Sequence, residues 1–186
     1  MAKLTFILGG ARSGKSAYAQ RLAEKHGGRV AFLATATADD AEMQTRIDYH
    51  RAERPAHWQT REIPFSLAAA LSIAPLETDV VLLDCVTLLV SNVLFLDGSD
   101  EPDESAAMLR VDVEINALLT LIEQDSADWL IVSNEVGLGL VPVTPLGRIY
   151  RDLLGRANRV FAARADKVFW LVAGIPVPIE QYREAA

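Results

Sequence analysis

Short, almost unbroken apolar runs recur along the chain between longer stretches whose apolar positions return every three or four residues. The short runs are Lys3–Leu8, Val30–Ala34, Asp79–Leu83, Trp129–Val132 and Lys167–Val172, each with the length and composition of a buried strand. Between them the spacing predicts helices over Ala17–His26, Asp39–Arg54, Phe65–Ala74, Val86–Leu96, Ala106–Gln124 and Pro145–Arg164. Gly27-Gly28, Pro55 and Pro75 stop the first three, and Thr144-Pro145 reads as the N-cap and first residue of the last. His57–Pro64 alternates weakly and reads as a short strand or an extended connection. Strands alternating with helices throughout predict one α/β domain over 1–186, a predominantly parallel sheet with helices on both faces.

Three stretches qualify this picture. Val86–Leu96 is apolar nearly all round, which predicts burial inside the domain or at a subunit contact. Asp97–Ser105 is acidic, holds Gly98 and Pro102, and reads as a mobile surface loop with nothing to bury. In Ala106–Gln124 the periodic apolar positions are Leu109, Val113, Ile115, Leu118, Leu119 and Ile122.

The first strand runs directly into Gly9-Gly10-Ala11-Arg12-Ser13-Gly14-Lys15-Ser16, which fits G-x-x-x-x-G-K-[ST]. Strand, glycine loop and helix in this order make a phosphate cradle. Backbone N–H groups turn inward around a polyphosphate, and the helix presents its positive end to the same anion. Lys15 supplies a mobile charge for the β- and γ-phosphates, Ser16 a hydroxyl for Mg²⁺, and Arg12 and Ser13 further contacts. Asp79–Asp84 is an apolar run ending in an acid, the form of a strand whose terminal Asp84 holds Mg²⁺ directly or through water. Thr35, at the end of the second strand, either lies by the nucleotide or caps the next helix.

Met43, Ile47 and His50 share one face of the Asp39–Arg54 helix, with Arg46, Arg51 and Arg54 nearby. By spacing alone His50 reads as a structural residue, although the guanidinium groups would favour its neutral, nucleophilic form. Glu62 reads as a solvated carboxylate. Gly137 and Gly139, in the apolar loop Val136–Pro142, indicate a hinge or the close approach of a ligand. The last helix carries Arg148, Arg151, Arg156 and Arg159.

A formal charge of −7 excludes broad phosphate-backbone binding to nucleic acid as an expectation, while leaving room for small nucleotides. The single cysteine, Cys85, has no intramolecular partner and suits a reducing compartment. With no signal-peptide pattern and no apolar run of roughly 18 residues, a cytoplasmic protein without stable membrane insertion is expected.

The motif GGARSGKS, the segment RIDYHRAERPAHW with Thr60 and Glu62 behind it, LLDCVTLLVSN, and SNEVGLGLVP followed by GRIYRDLLGRANRVFAARAD occur here in this order. Together they resemble the bifunctional adenosylcobinamide kinase/adenosylcobinamide-phosphate guanylyltransferase family of cobalamin biosynthesis. The resemblance spans almost the whole chain and implies a RecA-like P-loop NTPase fold. It also implies two reactions: ATP or GTP phosphorylates adenosylcobinamide, and GTP then donates GMP to the resulting phosphate through a guanylyl-histidine. His50 inherits the nucleophile's role, next to Tyr49 where members can carry a second histidine. By the same resemblance Ala34, Thr35, Ala36, Arg51, Ala52, Glu53, Arg54, Glu62 and Asp84 contact guanine nucleotide or metal, Mg²⁺ accompanies the triphosphate, and the chain forms a homo-oligomer, commonly a trimer. Two other readings of the P-loop stay open: a small-molecule kinase without nucleotidyl transfer, and a GTP-dependent regulatory module.

Overall fold

The computed structural model describes residues 2–37, 45, 51–52, 54–99 and 101–183. Its strands are β1 (Leu4–Gly9), β2 (Val30–Ala34), β3 (Gln59–Glu62), β4 (Val80–Asp84), β5 (Asp128–Asn134), β6 (Lys167–Val172) and β7 (Ile175–Pro178). They form one sheet in the order β3-β2-β4-β5-β1-β6-β7, parallel except for β7. One strand, β5, lies between the P-loop strand β1 and the strand β4 that ends in Asp84, which is the RecA-like order of a P-loop α/β fold.

The five helices with described bounds are α1 (Lys15–His26), α2 (Leu67–Ile73), α3 (Val86–Leu94), α4 (Glu104–Gln124) and α5 (Pro145–Arg164). Both faces of the sheet are covered. α1 packs through Ala19 and Ala23 against Ile7, Phe32, Leu82 and Val132, while α2 to α5 bury the other face around Phe6, Leu83, Trp129 and Ile131. Strands buried on both faces need continuous apolar runs rather than alternation, which is why β2 and β4 read so clearly. Phe6 stacks on Phe161 of α5 with ring centroids 5.5 Å apart.

Several boundaries differ from expectation for identifiable reasons. α4 starts at Glu104, two residues early, because the Asp103 side chain accepts from Ala106 N at 2.8 Å and caps it. Its core face is Ala107, Val111, Ile115, Leu118, Leu119 and Ile122, whereas Leu109 and Val113 point to solvent. The preceding loop does bury something: Pro102 is buried, and Asp97 pairs with Arg110 at 3.1 Å. α2 begins only at Leu67, after Ser66 in the left-handed region at φ 55°, and Glu114 of α4 accepts from Ser66 N and Leu67 N. α3 is buried within the domain against α4 and α5 and ends at Leu94, leaving Phe95 and Leu96 exposed.

The sequence pattern predicts no strand at β7. Pro176 and Pro178 argue against a strand, yet a proline is tolerated on a sheet edge, and β7 is an edge. The Ala173-Gly174 turn, with φ 50° and 81°, closes the β6–β7 hairpin. The predicted helix Asp39–Arg54 lies mostly outside the described residues, within which Thr45, Arg51 and Ala52 are helical.

Candidate active site

Parallel strands deliver their carboxyl ends to one edge, and the loops there carry the chemistry. Register makes this concrete. Glu62 of β3 lies opposite Ala34 of β2, Ala34 opposite Asp84 of β4, and Asp84 opposite Val132 of β5. β5 in turn places Asn134 opposite Gly9, where the P-loop begins. Glu62, Ala34 and Asp84 therefore stand in one transverse row on the edge that bears the glycine loop.

The loop itself is built from backbone conformations the motif demands. Arg12 sits at φ 58° and Gly14 at φ 89°, and Ser13 N donates to Gly10 O at 3.3 Å. A Cβ on Gly9 would come within 2.5 Å of Ser13 Oγ and 2.8 Å of Leu171 O, so the first glycine is required by close approach. Lys15 is buried, and its Nζ donates to Gly10 O at 2.9 Å. Burial lowers its pKa, while Asp84 and Cys85 pull the other way. Ser13 Oγ is buried with no hydrogen-bond partner among the described residues, as suits a hydroxyl that donates to an anion in the cradle. Gly10 is half-buried, and Ala11 and Arg12 are exposed at the mouth.

Ser16 and Asp84 are both half-buried on this edge and offer a hydroxyl and a carboxylate. Two hard oxygens suit a Mg²⁺ that completes its octahedron with phosphate and water. Arg54 reaches the same place: its guanidinium lies 3.6 Å from the centroid of the Phe32 ring, and burial lowers its pKa against the opposing pull of Asp84. Arg51 forms an ion pair with Glu62, both half exposed, so the solvated carboxylate that spacing suggests also has a cationic partner. Ala34 and Thr35 are buried, Ala36 is half-buried, and Ala52 is exposed. His50 and Glu53 lie outside the described residues. His26 belongs to the opposite edge, with Nε2 3.6 Å from Asp128, and His57 is exposed in a turn beside buried Trp58.

Polar residues hold this edge together: Ser133 and Asn134 arrive there as the sequence indicates, at the end of the apolar run Trp129–Val132, while spacing assigns Asn92, Thr87 and Asn158 no role. Asn92 of α3 donates through Nδ2 to Thr35 O at 2.8 Å and Pro64 O at 2.9 Å, joining the exits of β2 and β3. Thr87 Oγ1 accepts from Asn134 N at 2.8 Å, and Thr87 O accepts from Tyr150 at 3.2 Å. Buried Ser133 and Asn158 pair at 2.6 Å, and Asn158 Nδ2 donates to Asn134 O. Their only sequence signal is a polar residue inside an otherwise apolar helix or strand.

Residues 5–179, which carry every one of these elements from β1 to β7, match the description cobinamide kinase / cobinamide phosphate guanyltransferase. The chain belongs to this family. It is 44% identical over 174 residues to the bifunctional adenosylcobalamin biosynthesis protein CobP of Pseudomonas aeruginosa, covering 94% of this chain and 95% of that one. Against the bifunctional adenosylcobalamin biosynthesis protein CobU of Salmonella typhimurium, identity is 40% over 181 residues, 95% of this chain and 99% of the other. Among solved structures, the RadB recombinase matches with a TM-score of 0.48 at 13% identity, over 90% of this chain and 73% of that one.

Membership in the kinase and guanyltransferase family makes the chain a transferase of cobalamin biosynthesis. The arginine-rich helix α5 also reads differently. Arg156 holds Asp112 bidentately at 2.7 and 2.8 Å, Arg164 pairs with Glu123, Arg151 pairs with Asp152, and Arg148 donates to Pro142 O and Val143 O. Arg148, Arg151, Arg156 and Arg164 are thus engaged within the chain, whereas Arg159 is exposed on the same helix.

Proposed function

We propose that this chain carries both activities of its family at the carboxyl edge of the sheet: phosphorylation of adenosylcobinamide by ATP or GTP, then guanylyl transfer from GTP to adenosylcobinamide phosphate. The observation that carries this reading is the transverse row of Glu62, Ala34 and Asp84 on the edge that begins the P-loop. It provides groups for a base, a metal and a polyphosphate on one line.

In the first reaction the substrate hydroxyl attacks the γ-phosphorus, the bond to the β-phosphate oxygen breaks, and the hydroxyl proton is released. Residues Gly9 to Ser16 hold the phosphates by backbone N–H groups, and Lys15 balances the charge that gathers on the leaving diphosphate. Ser16 and Asp84 would hold Mg²⁺, which would further neutralise the phosphate oxygens. In the second reaction a neutral imidazole nitrogen of His50 attacks the α-phosphorus of GTP and pyrophosphate leaves with the bonding pair. A phosphate oxygen of the acceptor then attacks the same phosphorus, the P–N bond breaks, and adenosylcobinamide-GDP is formed. Glu62 accepts the two N–H donors of the guanine edge, with Ala34, Thr35, Ala36 and the run Arg51 to Arg54 alongside.

The protein works in the cytoplasm; no helix among the described residues is long and apolar enough to cross a membrane. It assembles as a homo-oligomer, a trimer by family resemblance. Exposed Phe95 and Leu96, and exposed Leu109 and Val113 of α4, supply apolar surface for such contacts.

Incubation with GTP labelled at the α-phosphate tests the scheme. Acid-labile label on the protein, absent in His50→Ala, is expected. Phosphorylation of cobinamide with no label on the protein would leave a kinase alone.

A further inference from the structure

The phosphate loop is held from both sides by segments whose apolar side chains lie uncovered. On one side Glu135 N donates to Gly9 O at 3.1 Å. The chain then passes through Leu138, Leu140, Val141 and Val143, which are 76%, 97%, 70% and 96% exposed. On the other side Gly174 N donates to Ser13 O at 2.9 Å. The hairpin that Gly174 turns sets Trp170 opposite Val177 and Val172 opposite Ile175, all four exposed. Directly opposed residues of antiparallel strands share a face, so these four make a continuous apolar patch.

The loop is shaped by polar bonds rather than by collapse of its side chains. Arg148 Nη1 donates to Pro142 O at 3.0 Å and to Val143 O at 2.9 Å, and Gly137 N donates to Glu135 Oε1 at 2.5 Å. Backbone so restrained would be served equally well by serine or aspartate, and aliphatic groups in water are unfavourable. Large exposed apolar surface beside a reaction centre marks a docking site.

We propose that loop 136–143 and the β6–β7 hairpin together seat the corrin macrocycle of the cobinamide acceptor. The inference rests on the functional reading above. A corrin ring is a broad disc whose perimeter bears methyl groups and amide arms, far too large to enter the cradle, yet its hydroxyl-bearing arm must reach the γ-phosphate. It therefore rests beside the P-loop, and the sheet order leaves a place for it. The row that would receive the guanine, Glu62 and Ala34, lies toward the β3–β2 side of β1, whereas the hairpin lies on the other side and loop 136–143 leaves the strand next to β1. The hairpin thus lies across the phosphates from the donor base, and loop 136–143, leaving β5, lies between that base and the P-loop strand.

The test uses the full chain and cobinamide itself, whose visible absorbance reports equilibrium dialysis directly. Leu140→Asp and Ile175→Asp are compared with the parent and with Ile73→Asp, a control at an exposed apolar residue that ends α2. The expected result is a Kd for cobinamide raised about tenfold or more in the first two, from loss of a buried aliphatic contact. The control, the GTP affinity and the sedimentation coefficient should all stay unchanged. Cobinamide binding within about twofold of the parent in both variants overturns the proposal. So does a shift of either variant to a smaller sedimenting species, which would make the surface a contact between copies. A parent protein that retains no cobinamide would instead remove the functional reading, and this surface with it.

Discussion

Thr35 and Cys85 hold each other twice: Cys85 N donates to Thr35 Oγ1 at 2.9 Å, and the same hydroxyl donates to Cys85 O at 2.7 Å. This reciprocal pair locks the exit of β2 to the exit of β4, and Thr35 N adds a longer contact to Asp84 O at 3.4 Å. Asn92 extends the lock to β3 through Thr35 O and Pro64 O. A single hydroxyl thus fixes the backbone that carries Asp84.

Thr35→Val keeps the shape and removes the hydroxyl, leaving both Cys85 groups without that partner. Unfolding in urea should show a loss of about 2–3 kcal/mol at unchanged slope, because each stranded buried group costs roughly 1–3 kcal/mol. Thr35→Ser keeps the hydroxyl and loses one methyl, a change of about 1 kcal/mol. Equal losses in the two variants would show that the methyl contact, not the hydroxyl, is what matters.

Lys15 links the cradle to pH. Burial holds its ammonium pKa below 10.5 in the free protein, despite opposing pulls from Asp84 and Cys85. A bound triphosphate favours the charged form and raises that pKa again, so binding takes up a proton between the two values. Triphosphate affinity should be level at neutral pH and fall as pH rises through the lowered Lys15 pKa, before 10.5 is reached. Calorimetric titration in buffers of different ionisation enthalpy would report the proton directly. Lys15→Met should bind weakly and lose this alkaline dependence; a variant that keeps it would assign the titration to another group.

Cys85 makes the fold itself sensitive to alkali. Burial first, and the neighbouring Asp84 second, push its thiol from 9.0 up to about 12, and burial pushes Tyr150 from 10.0 up to about 12. Between each pair of values the folded chain binds more protons than the unfolded chain, so stability is lost as pH rises above 9. The urea midpoint should fall progressively from pH 9 to 11, with a shallower slope in Cys85→Ala. Reaction of the thiol with a disulfide reagent at pH 8 should be slow in the native protein and fast in urea, since the thiolate is the nucleophile. Rapid native labelling would mean that the thiol is not held protonated by the fold.

What could be read in advance followed the physics of each signal. β2, β4 and the GGARSGKS loop were legible because a strand buried on both faces needs an unbroken apolar run and a phosphate cradle needs glycine at fixed places. β7 was not, since edge position excuses prolines that would forbid a central strand, and edge position is a tertiary fact. Leu109 and Val113 misled because a long amphipathic helix can expose aliphatic residues at helical spacing. Glu62 read as a solvated acid because its neighbours, Arg51 by ion pair and Ala34 by strand pairing, are remote in spacing or residue type from any short motif. Asn92 and Thr87 lay inside an apolar helix, where one polar residue says that a partner exists but not which one.

Glu62 offers the sharpest test of base recognition. It ends β3 on the outer strand of the sheet, paired with Arg51 and in line with Ala34 and Asp84. A carboxylate there can accept both N–H donors of guanine, whereas adenine presents no matching pair. Glu62→Gln preserves size but replaces one acceptor with a donor that meets the guanine edge badly. Because hydrogen bonds to charged groups contribute about 1.5–3 kcal/mol, kcat/KM for GTP in guanylyl transfer should fall roughly ten- to a hundredfold. Phosphorylation of cobinamide with ATP should change little. Arg51→Gln separates the remaining possibility, that Glu62 acts only by holding Arg51. If GTP and ATP reactions decline in parallel in both variants, the pair serves the phosphates or the fold, and guanine selectivity must come from elsewhere on the edge.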